Sequence, residues 1–142
     1  MKITPNIFFV AILLLFTSKS YAQDATKAIC YRWELTSLSM GARTIETAEL
    51  RQKKNNMNME FGEEGACTVI PSIQEAPIKK NKWRWEEEGK SLVIITLDEK
   101  NKRVNQTFKV EKLTPKTLIL SIGDNKNKEV FTYKNVGKVK KQ

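Results

Sequence analysis

The sequence predicts an all-β domain, an up-and-down antiparallel barrel of about eight strands with one short helix, after an N-terminal signal peptide. Short apolar or alternating segments are separated by turn residues at fairly even intervals, as in sandwiches and barrels. The connections are too short for the crossovers that parallel strands need, so antiparallel neighbours are expected. Aromatic and branched side chains recur at alternate positions, which gathers them on one face of the sheet.

Residues 1–22 form the predicted signal peptide. Lys2 precedes an unbroken apolar run at residues 7–16, and a short polar stretch follows that ends at Ala22. This is the order of a secretory leader, so cleavage after Ala22 is expected. The apolar run is half of the roughly 20 residues that span a bilayer, so no stable membrane anchor is expected. Residues 23–142 have the length of one domain, which we expect to be periplasmic or secreted.

Eight segments have the alternation and the bounding turn residues of strands. They cover residues 29–38, 56–62, 66–72, 81–87, 91–98, 103–113, 117–123 and 128–135. Residues 44–54, TIETAELRQKK, differ from these segments. There Thr44 is a suitable N-cap, and acidic residues precede basic ones, as the helix dipole favours. We therefore expect a helix of one to three turns laid over one end of the sheet.

Strand alternation also predicts which side chains face the interior. In the stretch KNKWRWEEEG, Trp83 and Trp85 fall on one face of the fourth strand and Arg84 falls on the other. The candidate ligand-binding residues are the inward aromatic side chains, namely Trp33, Phe61, Trp83, Trp85, Phe108 and Tyr133. An eight-stranded barrel of this kind holds either packed side chains or one small ligand, so these rings either fill a core or line a pocket.

Composition limits the function classes. The 142-residue chain has 25 Lys and Arg against 16 Asp and Glu, a formal net charge of +9, and it contains no histidine. The absence of histidine removes the commonest general base and a leading zinc ligand. We therefore expect no catalytic residue, no metal site and no cofactor, and a protein that is not an enzyme. Small basic barrels can bind single-stranded nucleic acid, but export argues against such a partner.

Cys30 and Cys67 are the two cysteines, and an even number in an exported chain suggests a disulfide. In an antiparallel meander both lie at the same end of the sheet, with one strand between them. Two strand spacings amount to roughly 9.6 Å, whereas bridged Cα atoms lie within about 7 Å. A bridge therefore needs a bent or frayed strand end, and both the bridged and the free states stay open.

Five stretches together resemble the small exported lipocalin-like domains common in bacteria. They are YRWELTSL, NMEFGEEGACTV, KWRWEEEGKSLVI, QTFKVEKLTPKTLILSI and FTYKNV. In lipocalins proper the first strand carries Gly-x-Trp, and a basic residue of the last strand packs over that Trp. Trp33 matches the Trp, Tyr31 takes the place of the Gly, and Lys134 would supply the basic residue.

The resemblance implies an up-and-down barrel that binds a small hydrophobic or amphipathic molecule in its interior. The alternative is a surface-binding module with a solid barrel core. Such a module would contact anionic envelope polymers, or a protein partner, through its basic exterior.

Overall fold

Strands dominate the computed structural model, which describes residues 24–52, 58–70 and 79–139. Within these ranges the strands are β1 (Arg32–Met40), β2 (Arg43–Glu46), β3 (Asn58–Phe61), β4 (Ala66–Ile70), β5 (Lys79–Glu86), β6 (Ser91–Leu97), β7 (Arg103–Leu113), β8 (Thr117–Ile122) and β9 (Glu129–Gly137). Two short helices, α1 at residues 24–29 and α2 (Thr47–Gln52), accompany them, with a 3₁₀ turn at Glu87–Gly89. The predicted signal peptide at residues 1–22 lies outside the described residues.

The sheet closes into a barrel because β1 pairs on both of its edges. From β3 to β9 each strand pairs antiparallel with the next, and β9 returns to β1, with Arg32 opposite Gly137. The other edge of β1 is shared. Its first residues, Arg32 and Trp33, pair with β3, and its last four pair with β2. Eight strands, β1 and β3 to β9, therefore form the closed wall. β2 lies along the same edge of β1 as β3, one after the other. The predicted fold class is confirmed.

Side chains close the gap along β1 between β2 and β3, which we call the seam. The Leu35 amide donates to Oδ1 of Asn58 at 3.2 Å, and Oγ1 of Thr47 donates to the Thr36 carbonyl at 2.7 Å. These bonds satisfy backbone groups of β1 that have no ladder partner there. Thr47 is also the first residue of α2, so one residue both starts the helix and seals the wall.

The two ends of the barrel differ. At one end, which we call the closed end, Ile29 of α1 is fully buried, and its carbonyl accepts a hydrogen bond from Nε1 of Trp33 at 2.8 Å. At the other end, which we call the open end, Val104 and Gln106 of β7 are exposed. Their cross-strand partners on β6 are Thr96 and Ile94. Because directly opposed residues share a face and Ile94 is buried in the core, Gln106 faces the barrel interior and yet reaches solvent.

The structure corrects two details of the sequence prediction. The first strand begins at Arg32 rather than at residue 29, because residues 24–29 are helical. The helix predicted for residues 44–54 begins at Thr47, because Arg43–Glu46 form β2 in a hairpin with β1. Gly41 in the hairpin turn has a φ of +59°, the left-handed region that two-residue hairpin turns favour. Pairing with the free edge of β1 therefore outweighs the local helix signal.

Candidate functional site

The six aromatic residues predicted to line the interior all belong to the core. Trp33, Phe61, Trp83, Phe108 and Tyr133 are buried, and Trp85 packs against the same cluster. Their neighbours in this cluster are apolar, so the inner face of the wall is apolar over most of its length. The site residues fall into two groups that differ in their contacts.

The first group holds the closed end together. Trp83 lies 5.8 Å from Phe61 and 5.6 Å from Trp85 between ring centroids, and both pairs are edge to face. Nε1 of Trp83 donates to the Gly62 carbonyl at 2.9 Å, just as Nε1 of Trp33 donates to the backbone of α1. Nε1 of Trp85 is buried and has no partner among the described residues. The indoles of Trp33 and Trp83 are therefore tied to backbone at the closed end.

The last strand does not provide the predicted cover for Trp33. Lys134 is opposite Glu34 in the β1–β9 ladder, and its Nζ lies 3.3 Å from Oε2 of that glutamate on the outer face. The prediction that Lys134 packs over Trp33 is therefore wrong. Tyr133, the neighbour of Lys134, faces inward and is buried, and burial together with nearby Cys67 raises the pKa of its hydroxyl. That hydroxyl stays protonated at neutral pH.

The second group lines the half of the interior next to the open end. The Phe108 and Phe131 rings lie 5.9 Å apart and are edge to face. Phe131 is opposite Leu38 of β1, Phe108 is opposite Leu92 of β6, and Gln106 follows Phe108 on the inner face. These apolar side chains form a wall that ends in an exposed amide. The interior is therefore apolar inside and polar at its rim.

Two residues of this half were absent from the predicted site. Phe131 alternates with Tyr133 in the sequence, so strand alternation already contained the signal for it. Gln106 alternates with Phe108 in the same way, but it is polar and the predicted site contained only aromatic residues. Its register opposite Ile94 confirms that it faces inward.

The hairpin of β6 and β7 extends beyond β8 at the open end, whereas β5 runs beside its β6 strand. The described pairing of β7 with β8 begins at Lys109, opposite Ser121, whereas β7 pairs with β6 from Arg103 onward. Residues 103–107 are all exposed, whichever face they point to. We call residues 95–107 the arm. Its inner face continues the wall of the barrel.

Both cysteines are free thiols in the structure. They lie at the closed end, and β3 lies between β1 and β4 as the sequence predicted. Burial and the nearby Glu63 carboxylate raise the pKa of Cys30 to about 11, and burial raises that of Cys67 to about 12. Both thiols are therefore protonated near pH 7, which makes them poor nucleophiles. The disulfide between them stays a prediction.

A groove of about 850 Å³ lies at the closed end of the barrel. It is bordered by α1, by the turn between β3 and β4 and by the residues that follow β9, and Cys30 and Tyr31 line it. Its charged lining is mixed, with Lys27 and Lys138 beside Glu63 and Glu64. Of the six predicted site residues, Phe61 is the one that contributes to this groove.

The described residues contain neither a cluster of metal ligands nor a membrane-spanning helix. Within them, no three His, Cys, Asp or Glu side chains are grouped in a way that would hold a metal ion. None of the helices in residues 24–52, 58–70 and 79–139 has the length and apolar character needed to cross a membrane.

Comparison with known proteins gives a family and a fold. A family model described as lipocalin-like matches residues 36–136. Among solved structures, the chain is similar to a lipocalin-like protein from Bacteroides uniformis ATCC 8492. The TM-score is 0.55 and the identity is 14%, over 76% of this chain and 98% of the other. No curated protein matches the chain. At this identity the structural likeness shows a shared fold.

Proposed function

This chain belongs to the lipocalin-like family, and we propose that it is an exported, non-catalytic protein that binds one small hydrophobic or amphipathic molecule inside the barrel. The supporting observation is the lining next to the open end. There Phe108, Phe131 and Ile94 form an apolar inner wall, and Gln106 on the same face reaches solvent. An apolar interior that ends in a solvent-exposed polar rim is the arrangement that a ligand-binding barrel requires.

The lining also indicates the polarity of the ligand. The apolar part of the molecule would contact the Phe108 and Phe131 rings, where burial contributes about 25 cal/mol per Å² of apolar surface. Its polar group would lie at the rim, where the side-chain amide of Gln106 offers both a donor and an acceptor. The tryptophans of the closed end form the floor of this site, since the indoles of Trp33 and Trp83 are bonded to backbone.

The chemistry of the chain supports binding rather than catalysis. The sequence has no histidine to act as a general base, and the two thiols stay protonated near neutral pH because their pKa values are raised. A nucleophile of the Ser or Cys type would therefore lack both a base and an accessible thiolate.

The first test identifies the ligand directly. The protein is purified from the compartment to which it is exported, and native mass spectrometry measures any small molecule that remains bound. An apolar fluorescent probe such as 1-anilinonaphthalene-8-sulfonate then reports the affinity of the site. We expect one bound molecule per chain, and we expect the probe to compete with that molecule for the site.

A pair of substitutions on one strand locates the site. Gln106→Trp places a large ring over the interior, whereas Asn105→Trp places the same ring on the outer face of β7 next to it. Both positions are exposed, so neither change should unfold the protein. Overpacking costs on the order of 1–3 kcal/mol, so Gln106→Trp should weaken probe binding by about tenfold and Asn105→Trp should not.

Equal binding by the wild-type protein and both variants would contradict the proposal. So would an exported protein that carries no small molecule and does not bind the probe. Either result would favour the alternative, a module that works through its outer surface around a solid core.

A further inference from the structure

Two of the four exposed large hydrophobic residues of the described chain lie in the arm. The exposed large hydrophobic residues of the described chain are Met40, Leu97, Val104 and Val136. Leu97 is 67% exposed, the highest value among the four, and Val104 is 40% exposed. Both belong to the arm. Leu97 points outward and Val104 inward, because they are opposite Arg103 and Thr96, respectively. The end of the arm therefore carries one exposed apolar side chain on each of its faces.

Basic side chains surround these two apolar residues. Lys100, Lys102 and Arg103 lie at the end of the arm, and Lys82 of β5 is opposite Ile95 on its outer face. All four are exposed. Among the described residues, no carboxylate lies within ion-pair distance of any of them, in contrast to the paired bases elsewhere on the barrel.

The acidic residues of the same turn do not cancel this charge. Oδ1 of Asp98 accepts hydrogen bonds from the amides of Lys100 and Lys102, each at 2.8 Å. The carboxylate is thus turned toward the backbone of the turn, which it holds in shape. Glu99 is the other acidic residue there, against four bases. The arm consequently presents an excess of positive charge around exposed apolar side chains.

We propose that this surface docks on an anionic lipid bilayer. The arm patch consists of Lys82, Leu97, Lys100, Lys102, Arg103 and Val104. Its basic residues attract anionic headgroups, and Leu97 and Val104 enter the boundary between headgroups and acyl chains. Because the arm stands at the open end, docking brings the mouth of the barrel to the bilayer. The orientation of the mouth toward the bilayer gives an apolar ligand a path that avoids water, and this role rests on the proposed function.

The charge and the apolar residues together select this partner. A second copy of the chain would bring two positive patches together, which disfavours a dimer through this surface. A soluble polyanion would match the bases but would leave Leu97 and Val104 in water. A bilayer with anionic headgroups uses both features at once.

Vesicle flotation tests the proposal. The full-length protein is mixed with vesicles of phosphatidylcholine alone or with phosphatidylglycerol added, at low and at high salt. We expect binding to the anionic vesicles, weaker binding at high salt and little binding to phosphatidylcholine. Lys102→Gln with Arg103→Gln should weaken partitioning by about 25-fold, since each base near an anionic surface accounts for about fivefold. Leu97→Ser should weaken it by about tenfold.

Matched controls separate the patch from total charge. Lys112→Gln with Lys116→Gln removes the same charge from exposed positions toward the closed end and should leave binding within about twofold. Every variant keeps the same N-terminal segment, so its apolar run contributes equally to each measurement. Binding that is equal for both lipid compositions, equal for all variants or absent would overturn the proposal. Equally tight, Leu97-independent binding to dextran sulfate would overturn it in favour of a polyanion.

Docking and ligand binding can fail separately. The flotation uses no added ligand, and Gln106→Trp should block the probe site without weakening binding to the anionic vesicles. If Gln106→Trp abolished both activities, the two surfaces would not be independent and the docking proposal would be wrong. If only the probe experiment failed, the ligand proposal would be wrong and the arm patch would stand as a lipid-binding surface.

Discussion

The closed end and the open end of this barrel are built from different kinds of side chain. At the closed end, large aromatic residues are buried and donate hydrogen bonds to backbone carbonyls, as Trp33 does to Ile29 and Trp83 to Gly62. At the open end, the arm leaves Leu97 and Val104 in solvent. The difference predicts that substitutions at the closed end cost more stability than substitutions in the arm.

The largest effect is expected at Trp33. Trp33→Ala removes a fully buried ring and its hydrogen bond to α1, so the free energy of unfolding should fall by about 3–5 kcal/mol. Val104→Ala at the open end should change it by less than about 0.5 kcal/mol. Urea denaturation followed by circular dichroism measures both. Similar losses for the two variants would refute the contrast between the ends.

An intermediate effect is expected at the seam, which lies between the two ends. Asn58→Ala leaves the Leu35 amide without its acceptor, and an unsatisfied buried donor costs about 1–3 kcal/mol. Asn58→Asp keeps an oxygen in place and should recover most of the stability. Native-state hydrogen exchange of the Leu35 amide reports the seam itself, and unchanged protection in Asn58→Ala would show that the bond does not form.

The smallest effect is expected at Glu111, which ties the loop at the open end to β7. Hydrogen bonds from Lys128 and Ser121 lower its pKa to about 2, against an ordinary value of 4.5. A carboxyl group whose pKa is lowered by folding stabilises the protein above its unfolded value, and this contribution is lost as pH falls from about 4.5 towards 2. Surface ion pairs contribute about 0–1 kcal/mol, so the change is small.

Glu111→Gln removes that pH dependence. The difference in unfolding free energy between the wild-type protein and this variant should be constant near pH 7 and should shrink across the acidic range. The closed end is held by neutral hydrogen bonds, so Trp33→Phe should show no comparable pH dependence. A parallel pH response in both variants would argue against a pH-dependent contribution from the Glu111 carboxylate.

Sequence reasoning recovered the barrel because alternation is a local property. The strand pattern and the inward positions of Trp83 and Trp85 follow from spacing alone. β2 was missed because its pairing with β1 outweighs the local helix signal of residues 44–54. Gln106 was missed although alternation with Phe108 places it inside, because the predicted site contained only aromatic residues. For Lys134, alternation and the family pattern gave different predictions. Alternation with the inward Tyr133 places Lys134 outside, as observed, whereas the family pattern placed it over Trp33.

The pairing of the first strand with the last has a consequence for how the protein forms. Arg32 and Gly137 are about 100 residues apart in the chain, yet they are neighbours in the ladder that closes the barrel. Contacts this distant in sequence slow folding, and until β9 is made β1 and β8 present free edges that other chains can join. The barrel therefore closes only after β9 is synthesised. A late closing step keeps the chain unfolded for longer, which suits a protein whose N-terminal segment predicts export.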